Sequence, residues 1–138
     1  MTRLLIALVL VVVVVLVARR LDRGRPDPPA RDVYPVPAQL DRDDFPRPDA
    51  PWLVVLFSSR TCEGCAVMAP RVAELESPTV AVCEAEAFEH KDLHARYRIE
   101  GVPMVVVADA EGVVVKGFVG AVGADELAAA LGDRGPAV

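Results

Sequence analysis

Residues 52–75 read WLVVLFSSRTCEGCAVMAPRVAEL, and the order of residue types along this stretch decides the fold class. WLVVLF (52–57) is a short, strongly apolar run with β-branched content, as in a strand. Ser58-Ser59-Arg60-Thr61 makes a turn, and residues 63–75, with their Ala, Glu, Leu and Arg, suit a helix. Cys62 and Cys65 stand where turn becomes helix. Two cysteines one helical turn apart reach disulfide distance, and the unpaired N–H groups at a helix start stabilise a thiolate on the first. Cys62 is therefore the predicted nucleophile. Cys65, one turn further in, is the predicted resolving thiol. Arg60 is expected to favour the Cys62 thiolate and Glu63 to oppose it.

Outward from this stretch, TVAVCEA (79–85), PMVVVA (103–108) and VVVKGFV (113–119) read as further strands, and residues 91–97 and 125–131 as helices. Strands alternating with helices point to an α/β layered domain. Asp109-Ala110-Glu111-Gly112 is too short for a crossover helix, so the last two strands are expected to form an antiparallel hairpin, which makes the sheet mixed. No internal repeat is visible.

The chain has 138 residues and 14.8 kDa, room for one domain and an accessory segment. Its 53% hydrophobic content exceeds the roughly 45–50% of ordinary soluble domains, and the excess is gathered at one end. There LLIALVLVVVVVLVA (4–18) runs unbroken between Arg3 and Arg19-Arg20. Fifteen residues span about 22 Å as a helix, short of the roughly 30 Å hydrocarbon core, so the flanking arginines must snorkel or the bilayer must thin. We read residues 1–20 as a single-pass transmembrane anchor. A cleaved secretory signal is the competing reading, opposed by the lack of a small-x-small site before the two arginines. Arg19, Arg20, Arg23 and Arg25 outnumber the positive groups before the run, which predicts a cytoplasmic domain, with an extracytoplasmic one as the alternative.

Residues 21–51 form a proline-rich linker: eight of the twelve prolines fall between Pro26 and Pro51, a composition that favours extended chain over helix. A short edge strand is expected within it over residues 36–40. From Val33 onward nine Lys and Arg face seventeen Asp and Glu, a net charge of −8. That balance, without a basic cluster interleaved with aromatics, excludes a nucleic-acid partner and disfavours acidic ones.

The competing reading of the cysteine pair is half a zinc site, completed by Cys83, His90 or His94. Cys83 sits inside an apolar strand with no second pair or knuckle-like turn near it, so redox chemistry is preferred and no metal site is assigned. Cys83 itself reads as a small core residue. His90 and His94, four apart, read as a solvated helix face, and Trp52 as a core residue.

One further pattern joins these pieces. A strand, a C-x-x-C at a helix start, Pro70 five residues after Cys65, and Tyr97-Arg98-Ile99-Glu100-Gly101-Val102-Pro103 before a strand together resemble thioredoxin, over residues 36–131. The resemblance implies a thioredoxin-like mixed sheet flanked by helices over residues 36–133. It implies a Pro70 kink in the active-site helix and a cis Val102–Pro103 bond facing the cysteines, with the Val102 backbone pairing with an extended substrate segment. Thr61, Glu63 and Gly64 would complete the active-site loop, and Met104 would either line the substrate groove or pack. Gly117 and Gly120 fall near the glycine-containing last strand of the family. The implied activity is disulfide exchange with protein thiols, with a recycling redox partner and no cofactor. The alternative is a non-catalytic tethered module that binds zinc or a partner protein. Thioredoxin carries an aromatic residue before the first cysteine, Gly-Pro between the two, and a buried Asp six residues before the first; here those positions hold Thr61, Glu63-Gly64 and Leu56. Glu84 or Glu86, acting through water, is the candidate replacement for that carboxylate. Only six residues separate Phe45 from Trp52, so the family's first helix is missing. A C-Glu-x-C behind an anchor also resembles the outward-facing membrane-tethered thiol reductases of cytochrome maturation, without their Trp before the first cysteine or their central insertion.

Overall fold

The computed structural model describes Met1, residues 11–14 and residues 34–132. The expected transmembrane run and most of the linker lie largely outside these residues. Within the run, residues 11–14 are helical with exposed side chains, and among the described residues no helix is long and apolar enough to cross a membrane.

Four strands build one sheet: β1 (Trp52–Ser58), β2 (Val80–Glu86), β3 (Met104–Ala108) and β4 (Val114–Val119). Their spatial order is β2-β1-β3-β4. The β1–β2 pair is parallel, with α1 (Glu63–Ala73) as the crossover between them, and Leu56 stands opposite Glu84. Pairs β1–β3 and β3–β4 are antiparallel, so the expected hairpin and mixed sheet are present. Two further helices, α2 (Lys91–Arg96) and α3 (Ala124–Gly132), complete the regular elements.

Every residue of β1 is buried, because side chains alternate between two cores. Leu53, Val55 and Phe57 join Leu40, Phe45, Leu93, Met104 and Val106 on one face. Trp52, Val54 and Leu56 meet Met68 and Val72 of α1 and Leu127 of α3 on the other. The continuous apolar run WLVVLF is thus the signature of a central strand covered on both sides. Trp52 is a core residue as expected, and Met104 is fully buried, so it packs and lines no groove.

One expectation is corrected. Residues 36–40 do not form an edge strand: a single bridge joins Gln39 to Val113, flanked by bonds from Leu40 N–H to Gly112 O (2.8 Å) and Val114 N–H to Ala38 O (3.0 Å). Pro35 and Pro37 carry no N–H and restrict the residue before each, which keeps the segment extended but starves a ladder of donors. Between this bridge and β1 there is a 3-10 turn, Arg42–Asp44, capped by Asp41, whose carboxylate accepts from Asp43 N–H (3.1 Å). The turn is fastened by Arg42, only 8% exposed, which donates to the carbonyls of Asp109 (2.7 Å), Ala50 (3.0 Å) and Arg47 (3.2 Å).

Candidate active site

The buried strand β1 delivers the chain to the C-terminal edge of the sheet, and the turn after it places Cys62 as the N-cap of α1, in extended conformation. Serine, threonine and aspartate usually fill this position because a side-chain acceptor satisfies the free N–H groups of the first turn. Here the acceptor is sulfur: Cys65 N–H donates to Cys62 Sγ at 3.1 Å. Cys62 and Cys65 are joined as a disulfide, their Cα atoms 5.3 Å apart. Their exposure is unequal. Cys62 is half-buried, whereas Cys65 is 3% exposed. An incoming reagent meets the Cys62 sulfur first.

The surrounding predicted residues converge on this helix start. Thr61 and Glu63 are exposed on either side of Cys62. The Val102–Pro103 bond is cis, and its ring lies beside the cysteine loop: a Cβ added to Gly64 would stand 3.4 Å from Pro103 Cδ. A side chain at position 64 would therefore meet the proline ring in ordinary van der Waals contact. Pro103 O accepts from Gly120 N–H (2.8 Å), and Val102 is half-buried. Behind this loop, Tyr34 packs flat on Gly101, where any Cβ would enter its ring. Pro70 lies inside α1, three residues before its end.

Arg60 does not spend its charge on Cys62. Its guanidinium pairs with Glu89 (2.9 Å) and Glu86 (3.5 Å) and lies over the ring of the exposed Phe88. Glu86 also accepts from the N–H groups of Arg60 (3.1 Å), Phe88 (3.0 Å) and Glu89 (3.2 Å). Burial would raise its carboxyl pKa, but these bonds and the Arg60 charge outweigh it and hold the group below the usual range. Glu86 therefore ties the turn after β2 to the backbone two residues before Cys62.

The second carboxylate, Glu84, accepts from the Ser58 hydroxyl at 2.7 Å. Ser58 is 1% exposed and closes an otherwise apolar strand. It had no assigned role in the sequence reading; a lone hydroxyl ending a central strand was the available signal. Both glutamates border a cavity of about 180 Å³ that also touches Cys62 and Cys65.

Cys83 remains a free, half-buried thiol whose pKa burial pushes up, with the Glu84 charge adding to the shift. It sits against the core face opposite α1, in keeping with a packing role. The solvated face expected for the histidines is corrected for His94. Its Nε2 meets Ala85 O at 2.8 Å and its ring stands edge-on to Phe57, 5.4 Å between centroids. The α2 helix packs this face onto the core, as Leu93 shows. His90 precedes α2 as its N-cap and is half-buried with Nδ1 shielded from solvent, so it too departs from the expected solvated face. Among the described residues no three His, Cys, Asp or Glu side chains gather to hold a metal ion.

The architecture and the cysteine loop can now be set beside known proteins. The crystal structure of oxidised mitochondrial thioredoxin 3 from Saccharomyces cerevisiae matches with a TM-score of 0.52 at 22% identity, covering 62% of this chain and 80% of that chain, which is a likeness of fold. No curated protein matches the chain. The family described as thioredoxin-like domain matches residues 39–135, from the Gln39 bridge past the end of α3 and across both cysteines and the cis-proline. By that match, over most of its length, the chain belongs to the thioredoxin-like domain family.

Proposed function

We propose that this protein is a membrane-anchored thiol-disulfide oxidoreductase that exchanges disulfides with protein substrates through Cys62 and Cys65. The observation that carries the reading is the disulfide at the start of α1, with one sulfur accessible, the other buried, and the cis-proline loop beside them. In the reducing direction the Cys62 thiolate attacks one sulfur of a substrate disulfide, forming a mixed disulfide and releasing the other substrate sulfur as a thiolate. Cys65 then attacks Cys62, the second substrate sulfur leaves, and the pair is oxidised by two electrons. A separate redox partner returns it to the dithiol. The substrate segment lies extended along Val102 and Pro103, and the Val102 backbone supplies the pairing edge. Residues 4–18 hold the protein in the membrane, with the domain on the cytoplasmic side by its flanking arginines.

The test is a thiol-trapping redox titration of the full chain in detergent, followed by exchange with a disulfide-bonded protein. A single two-electron transition of Cys62 and Cys65 is expected. Cys62→Ser abolishes exchange, and Cys65→Ser accumulates covalent mixed complexes with substrate. Exchange by Cys62→Ser at the wild-type rate, or a pair that forms no disulfide at any poise, overturns the proposal. Reporter fusions at each terminus decide the membrane side.

A further inference from the structure

Resting on the exchange reading above, we propose that Tyr34, well ahead of β1 in the chain, is a positioning residue for protein substrates: its ring seats the loop before Pro103, so that the Val102 backbone stands where a substrate segment pairs with it. The loop needs such a seat. Among the described residues no backbone hydrogen bond holds Glu100, Gly101 or Val102. The last fixed point before them is Ile99 N–H on His94 O (2.9 Å), and the next after them is Pro103 O, which accepts from Gly120 N–H (2.8 Å). Free backbone groups are what a pairing edge requires, and a stretch without hydrogen bonds has to be located by packing instead.

Tyr34 supplies that packing. A Cβ on Gly101 would stand 2.6 Å from Tyr34 Cε2 and nearer still to Cδ2. The φ of Gly101 lies outside the left-handed region, so the missing side chain answers to the ring and not to the backbone. Tyr34, Ile99 and Val102 all pack on the core cluster that holds Phe57 and Met104.

The ring is itself held by the segment that follows it. Val36 repeats the contact on Gly117 of β4, where a Cβ would stand 2.9 Å from Val36 Cγ2 and nearer still to Cγ1. Further on, Gln39 bridges Val113, its Nε2 donates to Glu111 O (2.8 Å), and Leu40 N–H donates to Gly112 O (2.8 Å). Residues 34–40 are thus a strap along the β3–β4 hairpin, fastened at the hairpin turn and reaching the loop from which the chain enters β3. The helix that carries the cysteines packs on the opposite core cluster, through Met68 and Val72. Loss of the Tyr34 ring therefore moves the pairing edge and not the thiols. Extended protein substrates depend on that edge, whereas a small disulfide needs only Cys62.

The experiment offers two disulfides to the full chain in detergent, in a Cys83→Ala background: insulin, turned over with dithiothreitol as reductant, and dithiobis(nitrobenzoic acid), reacted once with the reduced protein. Tyr34→Ala is expected to raise KM for insulin and so lower kcat/KM by about tenfold or more, with kcat and the rate of thiolate release from the small reagent unchanged. Tyr34→Phe, which keeps the ring, is expected to match wild type. Gly101→Ala is expected to reproduce the loss by pushing the ring off the loop, and to cost nothing more when added to Tyr34→Ala, because the two residues form one contact. A wild-type kcat/KM for insulin in Tyr34→Ala overturns the inference, and so does an equal loss with both disulfides, which is the mark of a merely structural role. If Tyr34→Ala does not fold, Tyr34→Leu, which keeps an apolar side chain without the ring, carries the same expectation and the same refutation. A chain with Tyr34 intact that turns over no insulin overturns the exchange reading itself.

Discussion

Tyr97 shows how one side chain couples the start of the domain to the helix beside the site. Its hydroxyl donates to Asp44 and accepts from Asp41 N–H at 3.0 Å, while Arg96 bridges Asp41 (2.9 Å) and Asp44 (3.0 Å). Burial first, and then the bond to Asp44, push the phenol up to about 12 from the ordinary 10. A folded-state pKa above the unfolded one gives stability that is complete below pH 10 and is lost as pH rises through 12. Denaturation midpoints taken from neutral to strongly alkaline pH are therefore expected to fall across that interval in the wild type and to flatten in Tyr97→Phe. An unchanged slope in the variant would place the alkaline sensitivity elsewhere. At this scale the sequence made the cysteines legible, because C-x-x-C chemistry depends on four adjacent positions. The different partners of Glu84 and Glu86 were not legible, since they are set by Ser58, Arg60 and a turn that only the folded chain brings to one cavity.

Strands and helices were read within a residue or two because β-branched runs and Ala- and Glu-rich stretches carry local signals. The edge strand failed for a reason also written locally, since Pro35 and Pro37 carry no N–H to donate. The β3–β4 hairpin depends on its turn. Asp109 Oδ1 accepts from the N–H groups of Glu111 (3.1 Å) and Val113 (2.9 Å), and Gly112 sits at φ +78° with Leu40 O where a Cβ would go. Gly112→Ala meets both an unfavourable φ and a backbone oxygen, and is expected to destabilise the domain by about 2 kcal/mol or more. Urea unfolding should show a lower midpoint at unchanged slope. A midpoint equal to wild type would mean that the turn relaxes without cost.

For the molecule as a whole, the parallel β1–β2 pair and antiparallel hairpin were foreseeable from the connections: eleven helical residues bridge the first, four turn residues the second. The central place of β1 matches its unbroken apolar run. The anchor is an argument of hydropathy and length, and it is open to direct measurement. The full chain is expected to pellet with membranes and to resist alkaline carbonate extraction, and removal of residues 4–18 to release the domain into the supernatant. Recovery of the intact full chain in the soluble fraction would sink the anchor.

Among the described residues β2 lies at the rim of the sheet, paired on one side only. A rim of this kind offers free amides and carbonyls to any stray strand, and proteins discourage such visitors with charge. Glu84 and Glu86 sit on that rim, and their charges stand sentry against self-association. Neutralising both would leave the flank of the sheet unguarded.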